Sequence, residues 1–147
     1  MGLLVLTVCL SALCANAMMY FATLFIKTEN SFSGFSTITG TLIGFLMGIF
    51  MPVGNLPGGV QWVVRLFPMS HAAAMFREIL AGANLEVMFA GAADAPMTLE
   101  QFKVFYGVVF EYGHISSSFW FSAAVLLGCA LLFFGLSVGV MRGRKIR

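Results

Sequence analysis

Residues 40–59, GTLIGFLMGIFMPVGNLPGG, mark the point where an apolar run ends in a segment that cannot continue as a helix. Pro52 and Pro57 each lack a backbone N–H and clash with the preceding turn, and the glycines around them weaken any helix further. Upstream of Pro52, residues 34–51 carry no formal charge and are just long enough to cross a bilayer. The sequence therefore predicts a membrane span over residues 34–51 that stops at Pro52.

A regular glycine spacing lies within this predicted span. Gly40, Gly44 and Gly48 are each four residues apart, and residues four apart share one face of a helix. A smooth face lets another helix backbone approach closely, which matters in lipid, where no hydrophobic force draws helices together. Glycine is common throughout this chain, which is the alternative explanation, but the repeated spacing favours a helix-packing face.

Two shorter apolar stretches follow, residues 60–67 and 69–80, separated by Pro68. Apolar runs of about 10–14 residues are typical of re-entrant or interfacial helices. These stretches also carry His71 and Arg77, and a charged side chain buried in lipid costs several kcal/mol. We therefore predict a helical hairpin over about residues 57–81 that dips partway into the membrane and keeps its polar groups near water or protein.

The flanking sequence supplies two further spans. Residues 2–26 and 119–141 are uncharged and long enough to cross a bilayer, and Gly135 and Gly139 offer a second small-residue packing face in the last one. Residues 82–118 are mixed in character and are predicted to form a loop outside the bilayer. Within this loop, Thr98-Leu99-Glu100-Gln101 is a capping-box pattern that predicts the start of a short helix.

The overall composition agrees with a membrane protein. Apolar residues make up 60% of the chain and charged residues 10%, whereas soluble domains average about 25% charged residues. The net charge of +2 is small and no basic stripe is present, so a nucleic-acid partner is not expected. The predicted class is an all-α membrane protein with three transmembrane helices and a re-entrant hairpin after the second.

The charged ends of the spans predict an orientation. Positive residues follow the last span directly and place the C-terminus in the cytoplasm; they are Arg142, Arg144, Lys145 and Arg147. Counting back through the spans puts the 82–118 loop outside, the turn at Lys27–Ser31 inside, and Met1 outside. An uncharged start on the outside is unusual, so we expect the chain to be part of a longer protein.

A family resemblance rests on the spacing of particular residues. Gly48, Pro52, Leu56 and Pro57 form a G-x-x-x-P-x-x-x-L-P element, then come Phe67-Pro68-Met69-Ser70-His71 and finally Arg77. The order and spacing of these elements over about residues 40–80 resemble those of ABC-2 type transporter permeases. The resemblance covers the C-terminal half of such a permease, that is, its fourth, fifth and sixth helices.

The resemblance implies a subunit of an ATP-driven exporter in the cell membrane. A separate ABC ATPase would supply the energy, and a second permease half, identical or different, would share the translocation path. The hairpin would form an external gate that includes Pro52, Leu56, Pro57, Pro68, His71 and Arg77. No cofactor, metal site or enzymatic activity is expected, because the sequence has no phosphate-binding GxxxxGK[ST] loop and no paired acids within a span. The alternative is a small autonomous three-span structural or assembly protein of the membrane.

Overall fold

The computed structural model describes residues 1–90, 98–112 and 115–145 of the chain. In chain order the elements are α1 (Gly2–Thr23), α2 (Glu29–Leu46), a 3-10 turn (Val53–Asn55), α3 (Gly58–Leu66), α4 (Pro68–Ala90), α5 (Leu99–Phe105), β1 (Glu111–Tyr112), β2 (Ile115–Ser116) and α6 (Phe119–Lys145). The strands form a single antiparallel two-residue pair. The predicted helical class is therefore confirmed for the part of the chain that the structure describes.

Two of the helices are long and apolar enough to cross a membrane. These are α1, with a mean hydropathy of 2.0 over an 18-residue window, and residues 119–143 of α6, with a mean hydropathy of 2.4 over such a window. They coincide with the predicted spans at residues 2–26 and 119–141. The third predicted span, at residues 34–51, does not meet the same test of length and hydropathy among the described residues.

Helix α2 is shifted toward the N-terminus relative to the prediction. It begins at Glu29, where the Thr28 side chain caps the helix by accepting a hydrogen bond of 3.2 Å from the backbone N–H of Ser31. It ends at Leu46 instead of residue 51. Gly48 has a φ of +68°, a left-handed conformation that glycine adopts readily and that terminates helices. The predicted boundary was wrong because the helix stops at this glycine, ahead of Pro52.

Helices α1, α4 and α6 pack together into the main core. Its buried residues are Cys14, Ala72, Met75, Ala123 and Leu126. Small side chains at Ala72 and Ala123 allow the helices to approach closely, while Met75 and Leu126 fill the space with no exposed area. Helix α4 continues to Ala90, beyond the predicted hairpin end at residue 81. The buried side chains of α4 lie in its first third, residues 68–75, and Ala72 and Met75 among them pack against the two candidate spans.

A second, smaller core joins the hairpin to the segment that follows it. Val53, Val64, Ala74 and Phe110 form this cluster. Helix α5 packs against the 3-10 turn, where the Phe105 ring occupies the space next to Gly54. The predicted capping box of α5 is confirmed: the Thr98 hydroxyl accepts from Gln101 N–H at 3.3 Å and the Gln101 side chain accepts from Thr98 N–H at 3.1 Å.

Candidate functional site

The α3–α4 hairpin (residues 58–90) is shaped by prolines at its start and its bend. Pro57 immediately precedes α3, and Pro68 is the first residue of α4, a position where the missing N–H of proline removes no helical hydrogen bond. The steric clash with a proline ring pushes the preceding residue toward an extended conformation. Phe67, with φ −79° and ψ 120°, has that conformation. A single extended residue therefore separates the two helices.

One face of α4 binds the end of α2. The Ser70 hydroxyl donates to the carbonyl oxygen of Leu46 at 3.0 Å. Two turns further along, Nη2 of Arg77 donates to the carbonyl oxygens of Met47 at 2.6 Å and Gly48 at 3.1 Å. The last carbonyls of a helix have no partner within the helix. Ser70 and Arg77 therefore cap the C-terminus of α2 from a neighbouring helix.

The same guanidinium also binds the end of α5. Nη1 of Arg77 donates to the carbonyl oxygen of Gly107 at 3.2 Å. Gly107 follows α5 with a φ of +68°, as Gly48 follows α2. A Cβ atom on either glycine would lie 3.4 Å from an Arg77 nitrogen, and 2.9 to 3.0 Å from Cγ2 of Val53. Two helices thus end in left-handed glycines packed around one arginine.

The charge of Arg77 is balanced by helix ends. Among the described residues, the ion pair found within 4 Å joins Lys103 to Glu86, at 3.6 Å, and does not involve Arg77. The carbonyl ends of helices carry a partial negative charge, and two such ends converge on this guanidinium. Burial lowers the pKa of Arg77, but an arginine stays protonated in proteins. The guanidinium is therefore a permanent positive charge held by main-chain dipoles.

His71 connects the hairpin to α6. Its ring is buried, with 1% of its surface exposed. Nε2 lies 3.0 Å from the carbonyl oxygen of Arg65, in the last turn of α3, and Nδ1 lies 3.2 Å from the hydroxyl of Ser122 in α6. Because a carbonyl can only accept, these contacts fit a neutral ring that donates from Nε2 and accepts from Ser122 at Nδ1. Burial lowers the pKa of His71, which also favours the neutral form.

Sequence reasoning selected His71 and Arg77 but missed what they bind. Three side chains of α4 satisfy carbonyls at the C-termini of three helices: Ser70 and Arg77 for α2, Arg77 for α5, and His71 for α3. Gly107 was not predicted as part of the site. A glycine directly after a short capped helix was the available signal, since left-handed glycines commonly end helices.

The remaining predicted residues lie away from this cluster or around it. Pro52 precedes the 3-10 turn, and Leu56 packs against the second core. The Phe50 ring fills the space beside Gly44. Within the described part of the chain, and apart from the adjacent backbone of the same helix, no atom lies within 4 Å of a Cβ built on Gly40, Gly135 or Gly139. Their helix-packing role therefore stays a prediction.

The structure describes the basic tail as far as Lys145. Helix α6 continues through Arg142 and Arg144 to Lys145, whereas Arg147 lies outside the described residues. The role of these basic residues as a cytoplasmic anchor stays a prediction.

Two cavities lie beside the hairpin. A polar one of about 470 Å³ opens between the 3-10 turn, α3 and α5, with Gln61, Arg65 and Glu111 on its walls. An apolar one of about 240 Å³ separates α2 from α1 and α6, and Phe35 and Phe133 contribute to its lining. The described residues contain no group of three or more His, Cys, Asp and Glu side chains that could hold a metal ion.

The sequence of this chain is similar to those of known transporter proteins. A protein-family profile described as "ABC-2 family transporter protein" matches residues 1–138. Nodulation protein J of Rhizobium meliloti (strain 1021) is 37% identical over 51 residues, which cover 35% of this chain and 20% of that protein. The matching segment thus spans about a fifth of the length of this relative. No solved structure gives a significant match.

Proposed function

Because this chain belongs to the ABC-2 family of transporter proteins, we propose that it acts as a transmembrane permease subunit of an ATP-driven exporter in the cell membrane. A separate ABC ATPase binds and hydrolyses ATP, since the chain has no phosphate-binding loop of its own. A second permease half completes the path. ATP binding then shifts the assembly between inward-facing and outward-facing states by favouring one of them.

The observation that carries this proposal is the position of the α3–α4 hairpin. The first third of α4 is buried, and its Ala72 and Met75 pack against residues of both candidate spans, α1 and α6. A helix pair whose first part enters a membrane bundle from one side is suited to block a path without crossing it. In this proposal the hairpin is the external gate of the exporter.

Helix α2 is the third span in this proposal. Its 18 residues extend about 27 Å, close to the roughly 30 Å of a bilayer hydrocarbon core. Its polar first turn, Glu29 to Ser31, then lies at the cytoplasmic surface, and its C-terminus meets the gate near the outer surface. The basic residues at the C-terminal end of α6 keep the C-terminus in the cytoplasm.

Association with an ATPase is the direct test. The protein is expressed together with a candidate ABC ATPase, purified in detergent, reconstituted in liposomes and assayed for ATP hydrolysis. Co-purification and a rate of hydrolysis that changes on assembly are expected, and an ATPase variant lacking its P-loop lysine is the control. Recovery of the chain without any ATPase, and with no effect on hydrolysis, would instead favour an autonomous membrane protein.

Orientation is tested separately by cysteine labelling in intact cells. In a background with Cys9, Cys14 and Cys129 replaced by alanine, single cysteines are placed at Glu100 and Gly143. The proposal expects a membrane-impermeant maleimide to label E100C from outside and to label G143C only after permeabilisation. Labelling of G143C in intact cells would reverse the orientation and remove the external gate.

A further inference from the structure

Helix α2 is attached to the rest of the protein mainly at its C-terminal end. Helices α1, α4 and α6 pack against one another, whereas α2 has no extensive contact with any other described element. The apolar cavity of about 240 Å³ lies along its side, between Ile43 of α2 and Phe133 of α6. At its C-terminus, by contrast, three consecutive carbonyls bind side chains of α4. A helix held in this way can tilt about its attached end with little loss of packing.

The hydrogen bonds at the C-terminus of α2 hold this helix more strongly than the contacts along its side. Hydrogen bonds from a charged donor are worth more than neutral ones, and a buried carbonyl left without a partner is costly. The planar guanidinium also has two separate nitrogens, with Nη2 on the end of α2 and Nη1 on the end of α5. A lysine at this position has one compact ammonium group in place of this fork.

We propose that Ser70 and Arg77 form a latch that transmits movement of α2 to the hairpin. The inference rests on the proposed function, because it assigns the hairpin to the gate. When ATP binding shifts the cytoplasmic end of α2, the latch carries the displacement to α4 and, through Gly107, to α5. Ser70 and Arg77 are positioning residues: they act on the gate through helix ends and contact no cargo.

A purely structural cap and a latch differ in one measurable respect. Loss of a cap lowers stability, whereas loss of a latch also uncouples the gate from the nucleotide. The hairpin is therefore monitored by a single cysteine at Leu66, a side chain that is 72% exposed in α3. Its labelling rate is measured in the assembled complex with the ATPase, in liposomes, without nucleotide and with a non-hydrolysable ATP analogue.

The expected results separate the latch from the proposed function. With Arg77 intact, the labelling rate of L66C should change roughly 5-fold or more between nucleotide states, the lower end of usual allosteric coupling. In R77Q the ratio should fall to about 1 while complex assembly and ATP binding persist, and R77K should give an intermediate ratio because it keeps the charge but loses the fork. Arg142→Gln, which removes the same charge from the end of α6, should leave the ratio unchanged.

Each contrary result has a defined meaning. An unchanged ratio in an assembled R77Q complex would overturn the latch and leave the exporter proposal intact. No nucleotide response in the protein with Arg77 intact would overturn the gate assignment and the latch with it. Should R77Q fail to assemble, S70A decides the matter, since it removes only the hydrogen bond to Leu46. A reduced ratio in S70A supports the latch, and an undiminished one refutes it.

Discussion

Replacing Gly107 by alanine introduces a methyl group where Arg77 and Val53 meet. The new Cβ would lie 2.9 Å from Cγ2 of Val53 and 3.4 Å from Nη1 of Arg77. The first distance is shorter than a normal contact between carbon atoms, which is about 3.5–4.0 Å. Val53 is a buried, β-branched residue with one strongly preferred rotamer, so it cannot move aside without strain. The backbone must also keep a φ of +68°.

The expected cost has two parts. A left-handed conformation costs a residue with a Cβ roughly 1–2 kcal/mol relative to glycine. Crowding of a packed core by an added carbon typically costs a further 1–3 kcal/mol. Alanine at Gly107 should therefore lower the free energy of unfolding by about 2–5 kcal/mol, and it should weaken the hydrogen bond from Arg77 to the same residue.

Gly82 provides a matched control for this substitution. It lies inside α4, and no atom is within 4 Å of a Cβ built there. Alanine is favoured over glycine in a helix interior by about 1 kcal/mol, so G82A should stabilise the protein while G107A destabilises it. The assay is thermal unfolding of the detergent-purified protein, followed by tryptophan fluorescence. If G107A is as stable as the unsubstituted protein, the packing described around Arg77 is wrong.

Three other substitutions test separate parts of the structure. Burial lowers the pKa of His71 in the folded protein, so below a pH of about 6.5 the unfolded chain binds more protons than the folded one. Stability should therefore fall as the pH drops below that value. In the same unfolding assay, H71Q should show a smaller fall between about pH 7.5 and 5.5. Gly44→Ile should reduce expression and transport, since its side chain displaces the Phe50 ring. A Cβ built on Gly40 contacts no other element among the described residues, so equal damage from Gly40→Ile would indicate a helix supplied by a partner. Thr98→Ala removes the capping box of α5 and should cost about 1 kcal/mol, measured as faster amide hydrogen exchange confined to residues 99–105; uniform exchange across the protein would contradict a local role.

The two long apolar helices were predictable because length and absence of charge are sufficient signals for a membrane span. The end of α2 was not predictable, because the sequence remains apolar and uncharged up to Pro52. What stops the helix at Leu46 is the left-handed Gly48, together with Ser70 and Arg77 far along the chain. A contact over such a sequence separation leaves no local pattern.

The length of α4 was underestimated for a related reason. Gly82 and the charged residues beyond it suggested a loop, yet the helix continues to Ala90. Most residues of this extension, such as Ala83, Leu85 and Met88, have a high helix propensity. Glu86, which suggested solvent exposure, points outward and pairs with Lys103 of α5 at 3.6 Å. A charged residue on one side of a helix was thus mistaken for the end of the helix.

At the candidate site, the sequence predicted the polar side chains but not the groups that they bind. His71 and Arg77 stood out because polar side chains are expensive in an apolar segment. Their partners are main-chain carbonyls at Arg65, Met47 and Gly107. Every residue has a carbonyl, so the identity of these residues contains no signal for the contact. Only the fold, which places helix ends next to α4, determines which carbonyls are bound.

Helix ends that are buried against other helices create a physical problem that α4 solves. The last carbonyls of a helix have no partner within the helix, and water cannot reach them where another helix covers them. The C-termini of α2, α3 and α5 converge on α4, and Ser70, His71 and Arg77 bind them. These polar side chains are thus engaged by main-chain carbonyls. In the proposed exporter, selection of cargo then depends on other surfaces, and substitutions at Ser70, His71 or Arg77 should affect all cargoes alike.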